Sequence, residues 1–226
     1  MKRDFIKSFL LFLFSGISFC VPAQNQGFVD VNGYYDTREM AVFTANTLAI
    51  MPNRFQYFST VNLFNDLNNS DKSTYIENHL NWAPAKNGSL DLTAYWVHIN
   101  APVEDDFKLG FRWRLSQWSK VSTWMKKQEL DVFVSVFLVE LTELNNAGLA
   151  NQAQYFYRWG GLKKWNNRFY MSGFANHYMN WLSAKPQFAW VHEHQIGLRF
   201  YKNFYFALEY RVNDFWLKRE GFGLGL

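Results

Sequence analysis

Apolar and polar residues alternate along most of the chain. In residues 107–115, FKLGFRWRL, every second side chain is large and apolar, and the positions between them include Lys108, Arg112 and Arg114. The same period of two recurs in four further segments, at residues 90–96, 169–176, 193–200 and 204–212. This period is typical of β-strands that have one apolar face and one polar face.

Clusters of Asn, Asp, Gly and Pro separate the alternating segments and predict turns. The segments between them predict about twelve strands, at residues 28–36, 40–50, 54–64, 73–82, 89–99, 107–117, 129–141, 152–161, 167–178, 187–200, 204–213 and 219–226. About ten strands remain as the alternative if the two weakest segments, at the start of the chain, do not form strands of their own. With the first strand starting on the periplasmic side, connections after even-numbered strands are expected to be short. Residues 118–128 are the expected exception, as a short helix or an extra hairpin at the rim.

A period of two fits both a closed membrane barrel and a secreted sandwich of two sheets. Composition favours the barrel, because aromatic residues make up 20% of the chain, with 23 Phe, 12 Tyr and 10 Trp. A soluble domain would struggle to bury so many rings, whereas a membrane barrel displays them to lipid and at both interfaces. The predicted fold is therefore all-β, a transmembrane antiparallel up-and-down β-barrel of about 12 strands.

The first residues predict an export signal. A charged head is followed by an apolar run and by Val21-Pro22-Ala23, so residues 1–23 fit a secretory signal peptide, with a retained anchor as the alternative. Residues 24–226 then form one barrel domain, expected in the outer membrane of a Gram-negative bacterium. The single cysteine, Cys20, lies in the predicted signal, which excludes disulfides and Cys-based metal sites from the remainder.

Removal of the predicted signal leaves a net charge of about +2, which gives no reason to expect a nucleic-acid partner. The expected partners are outer-membrane lipid, a small polar solute and the barrel assembly machinery. The protein is expected to be a monomer and to carry no cofactor.

The alternation assigns a set of ionisable residues to the barrel interior as candidate pore-lining residues. They are Glu77, Asp91, Lys108, Arg112, Arg114, Arg158, Arg168, Glu193, Arg199, Glu209 and Arg211. In one interpretation, most of the cations form one wall and the carboxylates face them, along a narrow pore. In the other, these charges pair across the lumen and fill it. The sequence leaves both interpretations open.

Candidate catalytic and metal sites are sparse. His192 and His194 share a strand face at a spacing that can hold a metal, but the sequence shows no third ligand nearby, so an interfacial pair is favoured. Ser172 and His177 have the composition of a nucleophile and a base, yet alternation places them on opposite faces. We therefore expect neither an enzyme nor a metal site.

Three segments resemble a known family. Residues 33–38 (GYYDTR), 122–124 (STW) and 172–181 (SGFANHYMNW) are similar to the nucleoside-specific channel-forming outer-membrane proteins. The resemblance implies a monomeric 12-stranded channel for nucleosides, lined by aromatic and ionisable residues.

The predicted function is thus an outer-membrane channel for the diffusion of small polar solutes, with nucleoside-like molecules as candidates. One alternative is a closed barrel that acts as a structural or surface-binding protein. The other alternative is an outer-membrane lipid hydrolase.

Overall fold

The chain forms twelve β-strands. The computed structural model describes residues 27–67, 72–99, 106–142, 147–160, 168–180, 187–214 and 219–226. The strands are β1 Gly27–Asp36, β2 Met40–Met51, β3 Phe55–Asp66, β4 Lys72–Trp82, β5 Leu90–Ile99, β6 Asp106–Arg114, β7 Leu130–Thr142, β8 Ala147–Trp159, β9 Phe169–Asn180, β10 Gln187–Tyr201, β11 Phe204–Asn213 and β12 Glu220–Gly225. The predicted signal peptide lies outside the described residues.

The strands close into one barrel. Each strand pairs antiparallel with its neighbours in the chain, and β1 pairs with β12. The closing pair is short, with Tyr34, Tyr35 and Asp36 opposite Gly225, Leu224 and Gly223. The fold prediction is confirmed, and the option of ten strands is wrong because β1 and β2 are separate. The largest differences in strand bounds are that β6 ends at Arg114 and β8 begins at Ala147.

The two ends of the barrel carry different connections. We call the end with the connections after even-numbered strands, at 52–54, 83–89, 115–129, 160–168 and 202–203, the even-turn rim, and the other end the odd-turn rim. The longest connection, 115–129, contains the short helix predicted from the sequence, α1 Ser122–Lys127. The expectation that even connections are short is wrong, since the connection after β1 spans only 37–39 and the one after β8 spans 160–168.

The outer surface of the barrel is apolar. Outward side chains such as Leu109, Phe206 and Leu224 are 41%, 52% and 66% exposed. Outward aromatic rings also contact one another near the even-turn rim, as in the pairs Phe55–Trp82, Trp159–Phe169 and Trp113–Trp118. An apolar surface with an aromatic band at its edge is typical of a barrel that faces lipid. No helix within the described residues is long and apolar enough to cross a membrane.

A bulge interrupts the alternation where β6 meets β7. The register shifts between Leu109 and Gly110 on β6 and between Phe137 and Val139 on β7. A Cβ atom on Gly110 would lie 2.0 Å from the carbonyl oxygen of Val136 and 2.7 Å from the Cα atom of Phe137. The two backbones therefore approach so closely that only glycine fits at this position.

Candidate functional site: the barrel lumen

Polar side chains from β1 to β11 point into the lumen. Of the predicted interior set, six are buried: Glu77, Asp91, Lys108, Arg112, Glu209 and Arg211. Arg114, Glu193 and Arg199 are half-buried, whereas Arg158 and Arg168 are exposed. The structure therefore separates the set into buried groups within the barrel and exposed arginines near its even-turn rim.

Asp91 on β5 holds two arginines of β6. Its carboxylate accepts hydrogen bonds from Nε and a terminal nitrogen of Arg112 at 2.8 and 2.6 Å, and it forms an ion pair with Arg114 at 2.9 Å. The Arg112 guanidinium also lies 5.2 Å from the ring centroid of Phe133. Both arginines thus share one carboxylate on the adjacent strand, and the three side chains together keep a net charge of +1.

Arg211 is held in the same way on the other side of the barrel. It pairs with Glu209, two positions away on β11, and with Glu193 on β10 at 3.1 Å. Its guanidinium lies 5.6 Å from the ring centroid of Tyr34, whose hydroxyl accepts a hydrogen bond from Gln195. This group packs against β12, where the inward positions are glycines: a Cβ atom on Gly225 would lie 2.5 Å from the Tyr34 ring.

Lys108 is likewise paired. Its ammonium group contacts the carboxylate of Asp106 and lies 3.5 Å from that of Glu140 on β7. It also lies 5.7 and 5.5 Å from the ring centroids of Tyr95 and Tyr178. Because Tyr178 is on β9, three strands from β6, this contact spans part of the lumen.

Glu77 is the centre of a second contact across the lumen. It accepts a hydrogen bond from the Tyr75 hydroxyl at 2.6 Å and bonds with Nε2 of His79 at 2.6 Å. The amide of Gln154 on β8 donates to Glu77 on β4 at 3.3 Å. The rings of His79, Tyr95 and Phe137 pack in sequence, with centroids 4.8 and 5.0 Å apart. Side chains of β4 to β8 therefore fill their side of the barrel.

These pairings correct the predicted arrangement of charges. One of the two interpretations of the sequence placed Lys108, Arg112, Arg114 and Arg211 in one wall with the carboxylates facing them, and the other paired these charges across the lumen. Instead, each of these cations lies beside a carboxylate on its own or a neighbouring strand. The physical reason is that an uncompensated charge is costly inside a narrow lumen, and adjacent strands offer the shortest ion pair.

Three of the predicted arginines lie towards one mouth of the barrel. Arg158, Arg168 and Arg199 lie near the even-turn rim on β8, just before β9 and on β10. The amide N–H of Arg199 donates to the carbonyl of Arg168 at 2.6 Å, and Arg158 is opposite Ser172 in the register of β8 and β9. We call these three residues the arginine mouth.

The lumen contains a water-accessible slot. Several inward residues on other strands are buried, among them Tyr95 on β5, Phe137 on β7, Tyr34 on β1 and Glu209 on β11. In contrast, Thr60 and Asn62 on β3, and Ser172 and Phe174 on β9, are half-buried although they point inward. A water-sized probe can reach such side chains only from the lumen. Since β3 and β9 lie opposite each other in a twelve-stranded barrel, the slot runs between them.

Cysteine labelling checks the slot. We expect Ser172→Cys to react with a charged, water-soluble thiosulfonate about tenfold faster than Ser135→Cys, because thiol reactivity follows exposure. Both serines point inward, but Ser135 is 1% exposed and serves as the matched control. The only native cysteine, Cys20, lies in the predicted signal peptide. Equal labelling rates would show that the lumen is not divided in this way.

His177, His192 and His194 lie on the outer surface. His192 and His194 have ring centroids 5.2 Å apart, and Nδ1 of His194 bonds with the Tyr157 hydroxyl at 3.1 Å. His177 packs against Trp190 at 3.7 Å. Within the described ranges, no group of three or more His, Cys, Asp or Glu side chains could hold a metal. The prediction that the two histidines share one strand face is confirmed, and that face is the outer one.

An ion pair lies at the odd-turn rim beside these histidines. Asp214 accepts a hydrogen bond from the Trp190 amide at 2.8 Å and pairs with Arg219. The hydrogen bond from that amide, together with Arg219, holds the pKa of Asp214 below its usual range.

Ser172 and His177 do not form a catalytic pair. Ser172 is opposite Gln195 on β10 and points inward, whereas His177 contacts the outward ring of Tyr155 at 5.1 Å. The prediction that they occupy opposite faces is confirmed.

Several lumen residues were absent from the predicted set. Gln154, Gln195 and Phe137 make or support contacts across the lumen, yet none carries a charge. Alternation in residues 152–158, QAQYFYR, places Gln154 on the same face as Arg158, so this signal was present in the sequence. Phe137 also follows the alternation, on the same face as Ser135, but it is apolar and so was outside a set chosen for ionisable side chains.

The closed twelve-stranded sheet, the apolar outer surface and the polar lumen define a transmembrane β-barrel. No protein-family model and no curated protein sequence matches the chain. Among solved structures, a KdgM porin is 9% identical with a TM-score of 0.51, and the alignment covers 86% of this chain and 95% of the porin. A KdgM porin in complex with disordered oligogalacturonate is 9% identical, with a TM-score of 0.52 and coverage of 88% and 96%. A NanC porin is 10% identical, with a TM-score of 0.57 and coverage of 88% and 98%. The chain shares the fold of these porins.

Proposed function

We propose that the protein is an outer-membrane channel through which small polar solutes diffuse. The observation that carries this proposal is the slot, where inward side chains on β3 and β9 are accessible to water. The porin fold supports it, because the neighbouring structures are channels by name. The same proposal places the protein in the outer membrane of a Gram-negative bacterium, as a monomer inserted by the barrel assembly machinery, with residues 1–23 removed.

The arginine mouth favours an acidic solute. Arg158, Arg168 and Arg199 lie towards one end of the lumen, with one carboxylate, Asp131, opposite Arg158 in the register of β7 and β8. An excess of cations raises the local concentration of anionic molecules. One neighbouring structure is a KdgM porin with oligogalacturonate, an acidic sugar chain. An acidic oligosaccharide is therefore one candidate for this channel.

A nucleoside-like solute is the second candidate. The rings of Tyr170 and Tyr205 meet edge to face at 5.3 Å inside the barrel, and the Tyr170 hydroxyl donates to Gln195 at 2.5 Å. Both rings are half-buried on the lumen side. Partly exposed rings beside an amide can stack on a planar base and hydrogen-bond to its edge.

Single-channel recording in a planar bilayer tests the function. Refolded protein is expected to give discrete conductance steps, since inward side chains on β3 and β9 are partly accessible to water. Oligogalacturonate and nucleosides are then added separately, and the one that blocks the steps identifies the solute class. If neither compound blocks the steps, the protein is a channel but both candidate solutes are wrong. Protein shown to be folded by circular dichroism that gives no steps would contradict the channel and favour the closed-barrel alternative.

A further inference from the structure

An apolar groove lies on the outer surface of the barrel across β5, β6 and β7. Its lining residues all point outward and are Leu90, Phe111, Trp113, Val134 and Val136. Leu90 and Phe111 are 48% and 40% exposed, so the groove is open to whatever surrounds the barrel. In a membrane, a concave apolar surface of this kind faces the acyl chains of lipids.

The groove ends at the connection 115–129. The ring of Trp118, in that connection, lies 5.1 Å from the ring of Trp113, the last groove residue on β6. Since Trp113 points outward, Trp118 lies outside the barrel wall and not over its mouth. Trp124, on α1 of the same connection, is 59% exposed. Exposed tryptophans at the end of an apolar surface are typical of the level of lipid headgroups.

Lys120 places a positive charge beside the pair of Trp113 and Trp118. The ammonium group of Lys120 lies 5.7 Å from the ring centroid of Trp118 and is exposed, as are Lys126 and Lys127 at the end of α1. The acidic residues of this region face β8. Glu129 lies beside Gly160, and Asp131 accepts a hydrogen bond from Ser116. The surface beyond the groove is therefore positively charged.

We propose that this groove binds an acyl chain of an anionic phospholipid whose phosphate lies against Lys120. The order of the surface matches that of the lipid: an apolar groove for the chain, two indoles at the level of the glycerol, and ammonium groups for the phosphate. The proposal requires that the barrel lie in a membrane. It does not require that the lumen conduct.

Native mass spectrometry of the refolded protein in detergent tests the proposal. The protein is mixed with equal amounts of dioleoylphosphatidylglycerol and dioleoylphosphatidylethanolamine, which differ in headgroup charge and not in chains. One phosphatidylglycerol is expected to be retained in preference. Lys120→Gln should reduce its retention about fivefold, as the loss of one cation at a lipid surface predicts. Val136→Trp, which fills the groove from its outward side, should also reduce retention.

Lys202→Gln is the matched control. Lys202 also stacks on an exposed aromatic ring at the even-turn rim, at 5.2 Å from the Tyr201 centroid, but the groove does not extend to it. It should retain lipid as the parent protein does. Equal retention of the two lipids, or an equal loss in Lys120→Gln and Lys202→Gln, would overturn the proposal. This experiment measures lipid retention and not current, so a negative result would contradict the lipid site without contradicting the proposed channel.

Discussion

Gly110→Ala is expected to destabilise the folded barrel by about 3 kcal/mol, or to prevent refolding, because the added methyl group has no space. Its Cβ atom would overlap the backbone of Val136 and Phe137, which no side-chain rotation can relieve. The measurement is urea unfolding of the refolded protein in lipid vesicles, followed by tryptophan fluorescence.

Gly33→Ala is the matched control for this substitution. Gly33 is also within a strand, β1, but no atom lies within 4 Å of the position of its Cβ atom. Its free energy of unfolding should change by no more than about 0.5 kcal/mol. If both alanine variants unfold at the same urea concentration, the close approach of β6 and β7 is not a constraint on the fold.

Asp91→Asn is expected to lower the free energy of unfolding by about 3 kcal/mol, since it leaves two arginines without their carboxylate. Asp91 is 1% exposed and holds both Arg112 and Arg114. The uncompensated cations should also shift the reversal potential in a salt gradient towards anion selectivity. Urea unfolding and planar-bilayer recording measure the two effects.

Glu193→Gln provides the comparison for Asp91→Asn. The Glu193 side chain is 28% exposed, and its partner Arg211 keeps Glu209 when Glu193 is neutralised. The loss of stability and the shift in selectivity should both be smaller than for Asp91→Asn. A larger effect at Glu193 would mean that the β5–β6 ion pairs are not the dominant charge compensation in the lumen.

The strands were predictable from the sequence because side chains on a strand alternate between two environments. Alternation in residues 107–115 assigned Lys108 and Arg112 to the interior, where the structure has them. It failed at the β7 bulge, where Leu138 and Val139 both face outward at 45% and 39% exposure. Two consecutive apolar residues were the only signal of that bulge, and the same signal occurs in many regular strands.

The partners of the interior charges were less accessible to sequence reasoning. Glu209 and Arg211 lie two positions apart on one strand, so their pairing follows from alternation alone. Asp91 meets Arg112 only because the register of β5 and β6 places them opposite each other. The bond from Gln154 to Glu77 depends on the width of the closed barrel. A contact within one strand is thus the easiest to predict. A contact between neighbouring strands also requires their register, and a contact across the lumen requires the geometry of the closed barrel.

The slot between β3 and β9 divides the circumference of the barrel into two kinds of wall. On the β4 to β8 side, an inward residue such as Tyr95 or Phe137 packs against neighbours from several strands, so its replacement requires compensating changes elsewhere. On β3 and β9, residues such as Thr60 and Ser172 face water and can be exchanged singly. Substitutions that change which solutes fit the lumen are therefore expected to accumulate on β3 and β9. The other inward positions are expected to change less.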